Sequence, residues 1–221
     1  MARRVRGPRW WSFPSLLLGV ALLVPAPASP AGVDPALLRT AALAGDWKQV
    51  QAMGPGVLPP LARLYASASQ SEKATIAHVF YQLGWKSPEA KRALMADVHT
   101  EDQALRQQVQ WALGRVSDDP DVVEVLLENM RRDPQPLFRD KAACALASDQ
   151  IHLAPAQKMP LFEGLIQSLE SENPQVRQIA LQALHRLTGQ TKGFLPGAEP
   201  EARRRAVGEW KQWLAEYRSN L

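Results

Sequence analysis

Apolar positions along this chain recur at spacings of three and four residues, and no segment alternates with period two over any length. The 3–4 spacing gathers apolar side chains on one stripe of an α-helix, whereas alternation would mark a strand. The pattern predicts an all-α protein. The punctuation is equally regular. Asp34-Pro35, Ser87-Pro88, Asp119-Pro120 and Asn173-Pro174 each pair a capping side chain with a proline. The cap oxygen accepts an orphan backbone N–H, and proline at the first helical position loses nothing, because that N–H has no partner. Each pair predicts a helix start.

One stretch, "NPQVRQIALQAL" (173–184), returns along the chain. It aligns with "QPLFRDKAACAL" (135–146), with "DQALRQQVQWAL" (102–113) and, more weakly, with "EKATIAHVFYQL" (72–83). The closing leucines are Leu83, Leu113, Leu146 and Leu184. A further helical pattern precedes each copy: "LPPLARLYAS", "EAKRALMADV", "DVVEVLLENMRR" and "QKMPLFEGLIQSL". The unit is a helix, a turn and a second helix. Within the second helix Leu105, Phe138 and Val176 share one position, Val109, Ala142 and Ala180 the next, then Ala112, Ala145 and Ala183. These lie on one face, where small alanines let helices approach and larger residues fill the seam. One such unit cannot bury its face alone, but stacked copies can. The prediction is a right-handed α-solenoid of about four helix pairs over 57–190. Residues 29–56 would cap one end, and 191–221 would supply a loop and a capping helix for the other.

The copies resemble the HEAT repeat, in the short form also seen in phycobilisome-lyase-like HEAT proteins. The Val176-Arg177 and Ala183-Leu184 pairs carry the likeness, which extends over roughly 34–190. It implies an architecture and says little about activity. The tail "LTGQTKGFLPGAEPEARRRAVGEWKQWL" resembles the closing segment of exported bacterial HEAT-like proteins. There a Leu-Thr-Gly stop leads through a loop into a last Trp-containing helix. Here Gly189 would end the repeat, and Glu201 to Arg218 is amphipathic, with Ala206, Val207, Trp210, Trp213, Leu214 and Tyr217 on one stripe. Arg106, Arg139 and Arg177 recur at one repeat position. They could form an anion-binding ladder, but the resemblance implies a structural role, each packing its stem and bonding a neighbouring carbonyl or carboxylate.

The first residues change the picture of compartment and charge. Arg3, Arg4, Arg6 and Arg9 precede an unbroken apolar run from Leu16 to Val24, and Ala26-Pro27-Ala28 follows. That is the build of a secretory signal peptide over 1–28, cleaved after Ala28 or Ala31. The run is shorter than the ~20 residues of a membrane span, and an N-terminal anchor is the alternative reading. The protein is therefore expected in the periplasm or secreted. The whole chain carries a net charge of +4. Residues 1–28 hold four Arg and no acid, so the remainder has 22 basic and 22 acidic residues. That balance disfavours nucleic acid as a partner.

Candidate chemistry is sparse. Cys144 is the single cysteine, which excludes an internal disulfide and a cysteine zinc cluster. His78, His99, His152 and His185 are scattered without metal-ligand spacing, and no nucleotide-binding or hydrolase motif appears. The reading is non-enzymatic, with no catalytic residue, cofactor or metal. Aromatic placement is more telling. Tyr81, Trp111, Cys144 and Gln182 share a repeat position that points about 145° from the apolar stripe by a helical wheel. In a HEAT-like solenoid the second helices line the concave side. The expected partner surface there is Tyr81, Trp85, Trp111, Arg115, Asp140, Cys144, Gln182 and Arg186. Trp, Tyr and Arg dominate binding hot spots because they bury much area and keep a polar handle. The bland alternative has Trp85 and Trp111 folding back on neighbouring repeats. The expected function is an exported scaffold that binds a protein or peptide on its concave face. A periplasmic small-ligand or cell-wall binder is the alternative, and a HEAT-like lyase or glycosylase the remoter one.

Overall fold

The computed structural model describes residues 33–148 and 152–221. The predicted signal segment, 1–28, lies outside them. The compact unit is Gly32–Leu221. Its described residues form eleven α-helices and no strand. An N-terminal pair, α1 (Pro35–Leu43) and α2 (Trp47–Ala52), is followed by a short 3-10 turn at Pro55–Val57. Four helix pairs come next: α3 (Leu58–Ser67) with α4 (Gln70–Leu83), α5 (Pro88–Met95) with α6 (Gln103–Val116), α7 (Pro120–Arg132) with α8 (Pro136–Ala147), and α9 (Lys158–Ser168) with α10 (Pro174–Thr188). A long last helix, α11 (Pro200–Ser219), closes the chain. The architecture is an all-α solenoid.

The second helices make one layer: α4 packs on α6, α6 on α8 and α8 on α10. The first helices pair α3 with α5 and α7 with α9. The repeated apolar positions hold the two layers together. Leu105, Phe138 and Val176 are fully buried, as are Val109, Ala142, Ala180, Leu113, Leu146 and Leu184. Between α5 and α7 the outer layer is joined by charge: Lys91 Nζ donates to Asp119 at 2.5 Å and to Asp121 at 2.8 Å.

The helix starts form largely as the pairs predict. Asp34 Oδ1 accepts from the N–H of Ala36, Ser87 Oγ from Ala90, and Asn173 Oδ1 from Gln175. Asp119 departs from the expectation. It precedes α7 but its side chain caps no N–H of it, because its carboxylate is taken by Lys91, which also holds its pKa below the usual carboxylate range. Three further caps come from Asp46, Asp102 and Ser69, the last a capping box closed by Glu72. At Gly189 the backbone turns left-handed (φ 72°) and its N–H reaches His185 O, which ends α10.

Candidate functional site

Tyr81 on α4 and Trp111 on α6 meet on the side of the second-helix layer that the apolar seam leaves free. Both are half-buried, and their ring centroids lie 5.8 Å apart with a 35° tilt. Arg115, one turn beyond Trp111, lays its guanidinium 4.7 Å over the Tyr81 ring. Gly84 makes that approach possible. It ends α4 at φ 63°, and a Cβ there would stand 3.3 Å from Arg115 Nη1. Lys141 on α8 brings its ammonium 5.4 Å from the other ring, Trp111. The aromatic pair therefore carries a cation on each flank, an attraction of the ring quadrupoles for positive charge.

His78 extends the strip along α4. Its ring lies 6.1 Å from Tyr81, with Gln108 Oε1 at 3.3 Å from Nδ1 and Gln82 Nε2 at 3.2 Å from Nε2. The neutral tautomer with the proton on Nδ1 satisfies both contacts, donating to Gln108 and accepting from Gln82.

Toward the C-terminal end the strip opens into a hollow of about 540 Å³ between α8 and α10. Asp140, Cys144, Gln182, His185 and Arg186 line it over a floor of small apolar residues. Arg186 Nη1 donates to Ser148 Oγ at 2.5 Å. A second hollow of about 620 Å³ shares Arg186 and adds His152 and Lys158. Burial pushes the Cys144 thiol up, and the Asp140 carboxylate adds to it, while Lys141 and Arg186 pull the other way. A thiol held up in this way stays protonated at neutral pH, which suits packing and not nucleophilic attack.

The structure places Tyr81, Trp111 and Arg115 in one contact set and Asp140, Cys144, Gln182 and Arg186 around the hollow. It takes Trp85 off the helix. The helix ends at Leu83, so Trp85 sits in the connection after α4, half-buried against the core. The helical wheel carried one turn too far there, because it could not register the left-handed turn at Gly84. Three members of the strip escaped the sequence reading: His78, Gln108 and Lys141. A usable signal existed, since they stand three residues before Tyr81, Trp111 and Cys144, on the same side of each helix.

The recurring arginines are structural. Arg106 forms an ion pair with Asp133, whose carboxylate is fully buried. Arg139 donates to the backbone carbonyl of Asp133 at 2.6 Å and to the Gln175 side chain. Arg177 donates to the carbonyls of Ser171, Glu172 and Pro196 at 2.8, 2.9 and 3.0 Å. Each guanidinium is thus engaged with a carboxylate or with carbonyls between helices, which does not make an anion ladder. Among the described residues no group of three His, Cys, Asp or Glu gathers as a metal site, and no helix is long and apolar enough to cross a membrane.

Comparison with known families matches residues 57–147 to a model described as HEAT repeats and residues 161–190 to one described as HEAT repeat. Comparison with curated proteins gave no match. The two matched stretches span more than half of the chain and contain all four helix pairs except short ends. With its stacked pairs and buried repeat positions, the chain belongs to the HEAT-repeat proteins.

Proposed function

We propose that this chain is an exported, non-enzymatic interaction module that holds a protein segment or peptide along the open face of its second helices. HEAT repeats build helical scaffolds that typically mediate protein interactions. The observation that carries the finer reading is the strip itself. A half-buried Tyr81–Trp111 pair with cations on both flanks runs into an open hollow with polar walls on α8 and α10. Aromatics and arginines in half-buried positions are the groups that anchor protein partners. An open strip over four helices suits an extended chain better than a small metabolite, which binds in more enclosed sites. Export rests on the Arg-rich start, the Leu16–Val24 run and Ala26-Pro27-Ala28.

A photo-crosslinking residue placed at Gln108 or Gln182 of the full chain in its native host tests the surface. Discrete protein adducts are expected there and not at Glu209, an exposed position on α11. Equal labelling from all three positions would remove the reading. The mass of the protein recovered from its host tests export: a start near Ser29 or Gly32 is expected, and an intact Met1 chain in the cytoplasm contradicts it.

A further inference from the structure

Resting on the open face as the partner surface, the geometry points to its occupant: an acidic peptide that sets carboxylates on Arg115 and Arg186 and an apolar side chain in the hollow at Cys144. The argument is one of charge left over. Arg115 makes no ion pair among the described residues, and its buried Nε has no hydrogen-bond partner. Its guanidinium carbon lies 4.7 Å from the centre of the Tyr81 ring, a contact that restrains its planar fork. Arg186 is exposed, and its described partner is a neutral hydroxyl, Ser148. Lys158 lines the adjoining hollow. Against these cations the described lining residues of the two hollows offer one carboxylate, Asp140, which lies 3.7 Å from Lys141.

Beyond residue 28 the chain has equal numbers of acids and bases. The positive excess on this face is therefore segregated there and does not reflect a basic protein. Such segregation selects partners of opposite charge and rejects like-charged ones. Between the two arginines the strip is apolar or uncharged apart from the Asp140–Lys141 pair, with the alanine-floored hollow as the seat for a side chain. Arg115 and Arg186 stand on α6 and α10, two helix spacings apart. At roughly 8–10 Å per spacing and ~3.4 Å per extended residue, the matching carboxylates are about five or six residues apart.

Selection of random 12-residue peptides displayed on phage, against the full chain, tests this. The expected winners carry paired Asp or Glu about five or six residues apart around an apolar residue. Synthesised with fluorescein, they should bind at least tenfold more weakly to Arg186→Gln and weaker still to Arg115→Gln/Arg186→Gln. Arg186→Gln alone keeps the test readable should the double variant fail to fold, because Arg186 is exposed. Gln182→Tyr, which fills the hollow from an exposed position, should also abolish binding. Peptides blocked by Gln182→Tyr but without acidic excess, and bound unchanged by Arg186→Gln, would overturn the acidic occupant and leave the interaction surface standing. A selection that yields no peptide sensitive to Gln182→Tyr would overturn both. Face-dependent binding of a fluorescent single-stranded DNA 15-mer, with no acidic peptide selected, would replace the peptide by nucleic acid.

Discussion

Gly164 sits on α9 where that helix comes closest to α7. A Cβ at this position would collide with Leu127 Cδ1 and stand 2.9 Å from Arg131 Nη2. Its bare carbonyl accepts from Arg131 Nη2 at 2.5 Å and from Ser168 Oγ at 2.7 Å. Alanine is the better helix former by up to about 1 kcal/mol, yet overpacking costs typically 1–3 kcal/mol. Gly164→Ala should therefore lower stability by a net ~1–2 kcal/mol in urea unfolding. A second residue-scale effect is set by Tyr65, fully buried, whose hydroxyl donates to Asp97 at 2.8 Å while Lys73 bonds the same carboxylate. Burial, then the Asp97 hydrogen bond and charge, push the phenol well above its usual range. With the folded pKa raised, the folded state keeps a proton that the unfolded chain loses near pH 10. The stabilisation is thus complete below pH 10 and is lost as pH rises beyond it, at about 1.4 kcal/mol per pH unit. Urea unfolding at pH 9, 10 and 11 should show that slope in the native chain and a flatter one in Tyr65→Phe.

Among the elements, α11 has the clearest energetic role. Trp210 is fully buried, and Ala206, Val207 and Leu214 are buried beside it, as the amphipathic stripe of the tail predicts. The helix packs on α9. Phe162 of α9 takes Trp213 and Tyr217 edge-on at 5.0 and 5.2 Å, and Tyr217 donates to Pro155 O at 3.0 Å. Removing residues 199–221 should therefore bare Phe162 and its neighbours on α9. The α10 end is served by the loop before α11, which buries Phe194 and lends Pro196 O to Arg177. Each large apolar side chain is worth about 1.5–3 kcal/mol on burial. The truncated chain should lose several kcal/mol and bind a hydrophobic dye. An unchanged melting curve would make α11 a dispensable tail.

For the whole molecule, the proposed partner face also helps to hold the repeats together. Trp111 lies between Tyr81 and Lys141, and Arg115 lies on Tyr81. An aromatic pair contributes about 0.5–1.5 kcal/mol beyond its buried area, and a cation over a ring about 0.5–1 kcal/mol. Trp111→Ala/Arg115→Ala should thus cost ~2–3 kcal/mol while the far-ultraviolet circular dichroism stays helical. That differs from a freely exposed hot spot, whose loss would leave melting unchanged. The residue packs on neighbouring repeats and stays partly exposed.

The sequence alone determined the helical class, the four pairs and the buried repeat positions. Those are local periodicities repeated at fixed offsets, and repetition leaves one way to bury the shared stripe. Tertiary structure alone decided which side chains meet across helices. It put Arg115 on Tyr81 over a bare Gly84, brought Lys141 to Trp111, took Trp85 off the helix face and diverted Asp119 from its cap to Lys91. Contacts between helices depend on the angle and register of separate elements, and a one-dimensional period carries neither.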